Sequence, residues 1–476
     1  MVVPADKNFG LTICTFKWYD EEIRKLLTDH NIFHRYNPEP HKICYEIQQI
    51  IKNFTKNLID RDFQNETLKK RILPTGEDFP VPEFYGLPKL HKTPVVLRPI
   101  TPCHSWITTM ASRYLAEEWQ KYVDKIKTIV PNSLTISKYF YENAKAVDGT
   151  FMITYDIKDM YTNIDHKDAA RKIEVFLQYK YPSLRKGFSN DKLKFQIKIM
   201  NWIMTNSFVK YGKYKYRQIK GLAMGTPAAP VIANLYCAAV ENLMLSQYEM
   251  RYRELKWFRY LDDILIIAQD YETVDHFRRM YTITASPSTL KLVQGDKGYK
   301  VKFLDLEIAL YSNYLNLFIV KPYDKPDNRH IYTNPETFYP WHYIYGWLQG
   351  ENIRYIRASS LREDWLTAKD HFIKYLKRRD YNENIVKVML GKNDHDDREE
   401  LLETKEKEDD DNRYLAIANS PVRPMAMRLF NEVKSDWSMV TKDYNLDKII
   451  PVVTKGTSIL VTLNKARRKV VLDTIK

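Results

Sequence analysis

The sequence predicts an α+β protein of several parts. Long stretches have the apolar spacing of helices, whereas shorter β-prone runs are continuously apolar or alternate, and they end at turn residues. Two of the β-prone runs contain acids: the strand at 150–161 includes Asp156, and the run at 258–268 has Asp262 and Asp263 at its centre. With 476 residues the chain is long enough for several domains or one large enzyme of several parts.

Charge and aromatic content predict a polyanionic partner. The chain has 74 Lys and Arg against 60 Asp and Glu, a net charge of +14, and 13% of its residues are aromatic. Cations neutralise phosphates and aromatic faces stack on bases, so this composition fits a nucleic acid. A soluble basic protein without such a partner has the same charge, and composition leaves that alternative open.

The cysteines indicate a reducing compartment. Cys14, Cys44, Cys103 and Cys237 are far apart and form no C-x-x-C pair, which argues against a zinc module or a disulfide framework. No apolar run approaches the ~20 residues of a membrane span, and the N-terminus has no secretory signal. We therefore expect a protein of the nucleus or the cytoplasm that is neither secreted nor membrane-bound.

The first third of the chain predicts a cation-bearing hairpin between helices. A short strand and turn at 2–7 precede the hairpin at 84–100, which turns near Lys92–Pro94 and carries Lys89, His91, Lys92 and Arg98. Such cations can clamp a triphosphate, although a solvated basic ribbon has the same sequence. Helical spacing is present at 19–29, 43–62, 105–127 and 133–147.

The middle of the chain predicts a glycine-containing loop that opens an apolar helix. Gly221 and Gly225 permit close approach of main chain to a ligand, and Thr226 with Pro227 begins a helix that continues to about Glu241. Helical patterns and one hairpin surround this loop. The helices are expected at 166–181, 191–207 and 271–282, and the hairpin at 208–216 around Gly212.

The last third predicts strands, basic helices and an acidic connection. Residues 302–308 and 315–320 alternate like an antiparallel pair, and residues 345–390 are helical and positively charged. The acidic stretch at 394–411 predicts a disordered or solvated-helix linker. Residues 413–476 form a small basic unit after it.

The run with Asp262 and Asp263 predicts two buried strands joined by a tight turn at the acids. Burying an ionised carboxylate costs several kcal/mol without compensation, and Arg259 would face away from Asp262 in a regular strand. A solvent-exposed turn remains the alternative for this stretch alone. If Asp156 joins the pair, cations between the carboxylates are required, and hard oxygen ligands select Mg²⁺ or Mn²⁺. Two such ions about 4 Å apart catalyse in-line phosphoryl transfer, so together with the basic segments the acids predict a template-dependent polymerase.

The motifs themselves carry a family resemblance. Tyr260-Leu261-Asp262-Asp263 resembles the Y-x-D-D motif of reverse transcriptases, residues 151–161 resemble their first aspartate motif, and residues 221–230 resemble the glycine-containing motif between them. More narrowly, the chain resembles the Penelope-like retroelement reverse transcriptases, which are relatives of telomerase. The stretches similar to that family are Pro4–Lys7, Tyr85–Lys92, Leu97–Ile100, Ala223–Pro227 and Phe303–Asp305, with a looser match to its thumb at 339–379.

The resemblance implies a right-hand polymerase with fingers, palm and thumb. It places fingers and the start of the palm at 1–149, the palm at 150–311, the primer-grip edge and helical thumb at 312–393, the acidic linker at 394–412, and the C-terminal unit at 413–476. The implied reaction is RNA-directed DNA synthesis, in which dNTPs extend a DNA primer on an RNA template with two Mg²⁺ (or Mn²⁺) ions.

The resemblance also implies roles for individual residues. Asp156, Asp262 and Asp263 would be catalytic and would bind the metals with Ile157. Lys89, Arg98, Tyr161, Met224 and Gly225 would bind the nucleotide. Tyr161 would be the gate against a ribose 2′-hydroxyl, with a core tyrosine as the alternative, and many reverse transcriptases have Gln where Met224 stands. Lys92, Lys302, Arg354 and Arg357 would bind nucleic acid, and Lys302–Leu304 would lie at the primer grip unless they form a plain core strand.

Three further expectations concern alternatives and a departure from the family. Many Penelope-like proteins continue into a GIY-YIG endonuclease, and this sequence shows no such motif, so we expect a member that lacks the endonuclease or was trimmed, and that extends a ready-made 3′ end. An RNA-dependent RNA polymerase shares the acids, and Tyr161 argues against it. A domesticated, non-catalytic nucleic-acid-binding protein would be expected to lose an acid, and all three are present.

Overall fold

A computed structural model of the chain shows a mixed α+β protein with two compact units. It describes residues 1–7, 9–56, 58, 61–74, 79–286, 290–311, 316–326, 328–336, 341–403, 413–418 and 449–454. The first unit comprises Met1–Ile331 with Arg357–Ala368, and the second comprises Tyr332–Ile356 with Lys369–Lys476.

The elements follow one another along the chain as strands and helices in alternating groups. The strands are β1 (Val2–Pro4), β2 (Leu11–Ile13), β3 (Phe33–Arg35), β4 (Tyr85–Lys89), β5 (Val96–Ile100), β6 (Phe151–Lys158), β7 (Phe208–Tyr211), β8 (Tyr214–Gln218), β9 (Lys256–Tyr260), β10 (Asp263–Ala268), β11 (Lys291–Gly298), β12 (Lys300–Phe303), β13 (Leu306–Tyr311), β14 (Leu317–Pro322), β15 (Arg413–Ala418) and β16 (Ile449–Thr454). The helices are α1 (Phe16–Leu27), α2 (Pro40–Thr55), α3 (Arg61–Ile72), α4 (Thr109–Val123), α5 (Ser133–Glu142), α6 (Met160–Asn163), α7 (His166–Lys180), α8 (Gly187–Thr205), α9 (Ala229–Tyr248), α10 (Tyr271–Thr284), α11 (Trp341–Ala358), α12 (Arg362–Lys377), α13 (Glu383–Leu390) and α14 (Arg398–Leu402).

The centre of the first unit is a four-stranded antiparallel sheet in the order β11-β6-β10-β9. Its two inner strands are buried on both faces. Ile153 and Ile264 pack into the main helical core, whereas their neighbours Met152 and Leu265 pack into a second core shared with β12–β14. Side chains alternate between faces along a strand, so two-sided burial explains why β6 and β10 read as continuous apolar runs.

Helix α9 begins later than predicted. The sequence suggested a start at Thr226–Pro227, but the helix begins at Ala229, has Pro230 in its first turn and continues to Tyr248. The Thr226 hydroxyl bonds to the Cys103 thiol instead of capping a helix, and the Ser112 hydroxyl accepts a hydrogen bond from the Ala228 N–H. The helix start is thus set by side chains from another part of the chain.

The prediction that no apolar run approaches the length of a membrane span needs one correction. By length and composition, α9 is long and apolar enough to cross a membrane, as one helix among the residues that the structure describes. Its side chains, including Tyr236 and Val240, are buried in the helical core, as is expected of a core helix.

The segment predicted as a single strand at 302–308 is a hairpin. Leu304 has a φ of +57°, and the chain reverses between Phe303 and Leu306, so β12, β13 and β14 form a three-stranded sheet. The turn contains no Gly, Pro or Asn, and this is why the pattern concealed it. The polar edge strand β11 was also missed.

Several other element boundaries also differ from the prediction. The expected helix at 43–62 is two helices, α2 and α3, and the expected helix at 345–390 is three, α11–α13. The helices expected at 105–127 and 133–147 are shorter and correspond to α4 and α5. The acidic stretch contains α14, and 404–412 lies outside the described residues. Of the predicted unit at 413–476, only the parallel pair β15–β16 is described.

The second unit contains most of α11 and the end of α12, together with α13 and α14. Its side chains pack around aromatic rings: Phe372 is fully buried, and the ring centroids of Tyr332 and Trp347 lie 5.5 and 5.6 Å from that of Phe372. Basic residues lie on the outside of these helices, among them Lys374 and Lys377.

Candidate active site

The fold brings the three predicted acids together. Asp156 on β6 and Asp263 on β10 are direct cross-strand partners, and Asp262 lies in the two-residue turn between β9 and β10. That turn requires a φ of +53° at Leu261, and it is held against β6 because the Ile157 N–H donates to the Asp262 carbonyl at 2.8 Å. Acids from two distant segments thus share one end of the sheet.

Their carboxylates repel one another. Burial, the Asp262 charge and the Asp156 charge raise the pKa of Asp263 to about 6. Burial also raises the pKa of Asp156, with Asp262 adding to the shift. Across the described residues, none of the three acids forms an ion pair within 4 Å. The site therefore concentrates negative charge that a bound cation would relieve.

Surrounding lysines oppose part of that charge. Lys92 and Lys89, on the β4–β5 hairpin, act to lower the pKa of Asp156. Lys325 and Lys7 act in the same way on Asp263. Lysine charges therefore offset part of the repulsion between the acids, and they would attract a polyphosphate to this region.

The donor set fits a hard divalent cation in chemistry. In the part of the chain that the structure describes, no three His, Cys, Asp or Glu side chains converge closely enough to hold an ion. Mg²⁺ in polymerase sites uses one or two carboxylates and completes its octahedron with water and substrate phosphates, so such a cage is not required. The Ile157 side chain is in the core, so Ile157 could contribute only its carbonyl oxygen.

A buried ionic network below the turn was not foreseen. Arg259 is fully buried, its Nε donates to Glu241 at 2.5 Å and its Nη1 to the Asn234 amide oxygen at 2.8 Å. The same Nη1 donates to the Leu261 carbonyl at 3.3 Å, inside the turn that carries Asp262. Sequence reasoning placed Arg259 away from the acids but did not identify its partners on α9. The sequence does contain one sign of these partners. Asn234 and Glu241 are polar residues seven positions apart in an otherwise apolar helix, so they lie on the same face of it.

Tyr161 is fixed to the glycine-containing loop by its main chain. The Leu222 N–H donates to the Tyr161 carbonyl at 2.6 Å, and Gly221, with a φ of +76°, lies so close that a Cβ there would be 2.6 Å from the same oxygen. The Tyr161 ring is half-buried. Burial and the nearby Asp262 charge raise the pKa of its hydroxyl to about 12, so the ring stays neutral. This exposure fits either predicted role, gate or core residue.

Met224 and Gly225 lie where the loop meets β5. The Thr101 N–H donates to the Met224 carbonyl at 2.8 Å, and a Cβ on Gly225 would lie 2.1 Å from the Thr101 oxygen. Met224 also lines a cavity of about 120 Å³ with Thr101, Thr162 and Gln218. The Gln218 amide donates to the Lys220 carbonyl, as suits a residue at the rim.

The remaining predicted binding residues have different surroundings in the structure. Lys89 and Lys92 act on the acids, whereas Arg98 forms an ion pair with Asp6 at 3.2 Å. Lys302 is exposed, and its Nζ lies 4.8 Å from the centroid of the Tyr323 ring. Arg354 pairs with Glu351 within its own helix in the second unit, and burial lowers the pKa of Arg357.

The chain is similar to known proteins both in sequence and in structure. Residues 91–294 match the family model of reverse transcriptase (RNA-dependent DNA polymerase). No curated protein matches the sequence. Two solved structures are similar over most of the chain. Telomerase from Candida albicans in complex with a TWJ fragment of telomeric RNA is 11% identical, with a TM-score of 0.53 over 80% of this chain and 63% of that chain. Apo telomerase from Candida tropicalis is 12% identical, with a TM-score of 0.46 over 84% of this chain and 72% of that chain.

The similarity to the Candida albicans structure concerns the fold, and the family match concerns residues 91–294. The present chain spans less than two thirds of the Candida albicans protein, and the similarity at 11% identity is one of fold. It confirms the predicted α+β class, that of a right-hand polymerase. The family match covers β6, the glycine-containing loop and the Asp262–Asp263 turn. Residues 91–294 therefore resemble a reverse transcriptase domain in sequence.

Proposed function

We propose that this chain extends a DNA primer by copying an RNA template. One observation carries the proposal: inside the region that resembles a reverse transcriptase domain, Asp156 and Asp263 are cross-strand partners beside Asp262, with no ion pair to neutralise them among the described residues. Carboxylates held this close together repel one another, so a bound cation would stabilise them, and nearby lysine charges suit a triphosphate.

The acids would hold two divalent ions. Asp156, Asp262 and Asp263 would supply side-chain oxygens, and Ile157 its carbonyl. When bound, Mg²⁺ or Mn²⁺ would activate the primer 3′-hydroxyl and stabilise the charge of the departing pyrophosphate. The turn held by Arg259 would keep the acids in place while the 3′-oxygen bonds to the α-phosphorus and the bond to the β-phosphate breaks.

The nucleotide would lie between the β4–β5 hairpin and the glycine-containing loop. Lys89 and Arg98 would bind its phosphates, Tyr161 would contact the sugar, and Met224 with Gly225 would form the wall behind it. The main-chain hydrogen bond between Thr101 and Met224 supports this placement, because it joins the hairpin and the loop into one surface.

The wider assignments extend the same proposal. Lys92 and Lys302 would contact template and primer, and Arg354 and Arg357 would bind the duplex from the basic helices, with the finger, palm and thumb boundaries as predicted above. The motif resemblance supports a Penelope-like retroelement origin. A nuclear or cytoplasmic site of action is part of the proposal and follows from the predicted substrates.

Primer extension tests the function. The assay uses poly-rA with oligo-dT, Mg²⁺ and dTTP, and compares the wild type with Asp262→Asn and with Asp275→Asn. Asp275 is a matched control, because it pairs with Arg278 and Arg279 on α10. We expect extension by the wild type and by the control, and none by Asp262→Asn. If the wild type binds RNA or DNA tightly without extending the primer, the chain is a binding protein and the proposal is wrong.

A further inference from the structure

The turn that follows β1 is built onto the cation-bearing hairpin. Strand β1 pairs with β2, the Ala5 N–H donates to the Gly10 carbonyl at 2.9 Å, and the Asp6 N–H donates to the Pro88 carbonyl of β4 at 2.9 Å. Val3 and Ala5 are buried, which anchors the segment. The position of the Asp6–Lys7 turn is therefore fixed relative to the strand that carries Lys89.

Asp6 is a buried carboxylate with an ion-pair partner across the hairpin. It is 3% exposed, and its Oδ2 lies 3.2 Å from the Nη2 of Arg98. Within the described residues this oxygen accepts no hydrogen bond, so the contact is one of charge. A carboxylate at this depth requires a cation, and Arg98 is the cation provided.

Arg98 is held without being saturated. Its side chain remains 42% exposed, and the ion pair with Asp6 engages only one of its terminal nitrogens. A guanidinium has five N–H donors in a planar fork that matches phosphate oxygens in pairs. Asp6 therefore fixes the direction of the group while the remaining donors stay available to an anion.

Lys7 follows Asp6 in the same turn. It has a φ of +59°, an uncommon conformation for a residue with a side chain, and such strain persists where the surrounding structure imposes it. Its side chain is exposed and makes no ion pair in the part of the chain described here. The turn that carries Lys7 is held against β4 by the hydrogen bond from the Asp6 N–H to the Pro88 carbonyl, next to Lys89.

We propose that the Asp6–Lys7 turn is a triphosphate-binding element of the nucleotide site. Asp6 is a positioning residue that aims the Arg98 guanidinium, and Lys7, the next residue of a turn anchored to β4, binds a phosphate of the same triphosphate. This inference rests on the proposed function, because it assigns the triphosphate of the incoming nucleotide to that same site.

Kinetics of dTTP incorporation test the positioning role. We expect Asp6→Asn to raise the KM for dTTP roughly tenfold, the effect of losing a charge-assisted contact, with a smaller change in kcat and unchanged affinity for primer–template. Asp6→Glu should recover part of the loss. In an Arg98→Ala background, Asp6→Asn should have no further effect on KM, whereas a merely structural role would add a second loss.

Lys7 provides a test that does not depend on folding, because it is exposed. Lys7→Ala should raise the KM for dTTP, and Lys7→Arg should keep it near the wild-type value. The matched control is Lys125→Ala, which removes an equally exposed lysine just after α4. A KM for Lys7→Ala and Asp6→Asn equal to that of the wild type would overturn the inference.

Equilibrium dialysis with labelled dTTP separates this inference from the proposed function. If the wild type extends no primer, the proposed function fails, but dTTP binding can still be compared between wild type, Asp6→Asn and Lys7→Ala. Weaker binding by the two variants supports the triphosphate-binding turn. Equal binding, or no binding by the wild type, overturns it.

Discussion

Arg259 and Glu241 form an ion pair of 2.5 Å in which both side chains are buried, at 0% and 3% exposure. The pair joins β9 to α9, and Arg259 also donates to the Leu261 carbonyl within the turn that carries Asp262. The position of that turn therefore depends on a charge pair formed on the side of the sheet where the helices pack.

Breaking this pair should destabilise the fold. Arg259→Met leaves Glu241 as an unpaired buried charge, and we expect a loss of about 3–5 kcal/mol in the free energy of unfolding. The double variant Arg259→Met, Glu241→Met should recover part of that loss, because no charge remains buried. Urea unfolding of Arg259→Met, Glu241→Met and the double variant measures both effects, and additive losses in the double variant would contradict the coupling.

Tyr161 should control sugar selection. Tyr161→Ala removes the ring that would occupy the space of a 2′-hydroxyl, and we expect the preference for dTTP over UTP to fall at least about tenfold. Tyr161→Phe keeps the ring and should keep the preference, since the gate is steric. The measurement is kcat/KM for each nucleotide. An unchanged preference in Tyr161→Ala would assign Tyr161 to the core alone.

Gly225 should tolerate no side chain. Its φ is +119°, and a Cβ would lie 2.1 Å from the Thr101 carbonyl oxygen, which is main chain and cannot rotate away. We expect Gly225→Ala to lower the melting temperature and to raise the KM for dTTP. Gly346→Ala is the control, because open space surrounds that glycine in α11; it should leave the KM unchanged and should not lower the melting temperature, since alanine favours a helix over glycine. A fully active Gly225→Ala would mean that the loop can move away from β5.

His166 should make the fold sensitive to mild acid. Its Nε2 lies 2.8 Å from the Gly221 carbonyl, and burial lowers its pKa below the usual 6.5. Because the unfolded chain takes up this proton first, stability should fall as the pH drops below about 6.5. We expect His166→Asn, whose amide can also donate, to lose less melting temperature between pH 7.5 and 5.5 than the wild type. An identical loss in both proteins would exclude His166 as a source of the effect.

The sequence was sufficient to predict the acids and their strands. Strands β6 and β10 are buried on both faces, so their patterns are unmistakably apolar, and acids within them are conspicuous. The hairpins at 84–100 and 208–216 were also foreseen, because Pro94 and Gly212 mark their turns. In these cases the local pattern and the tertiary structure agree.

What was missed depends on contacts between distant segments. The turn at Leu304 contains no Gly, Pro or Asn, and Asp305 alone did not distinguish it from a strand. The start of α9 is displaced, and Thr226 bonds to Cys103 instead of capping the helix. The partners of Arg98 and Arg259 are similar cases: Asp6 and Glu241 have no local signal, and only the packing of β1 on β4 and of α9 under β9 brings them together.

The two-sided burial of β6 and β10 has a consequence for how this fold can be disrupted. A shift of one residue in their pairing would exchange the side chains of two hydrophobic cores and would also turn Asp156 away from Asp263. A folded chain with misaligned acids would therefore have a much higher free energy than the native state. A destabilising substitution in β6 or β10 should therefore lower the fraction of folded molecules, while each molecule that remains folded should keep its activity.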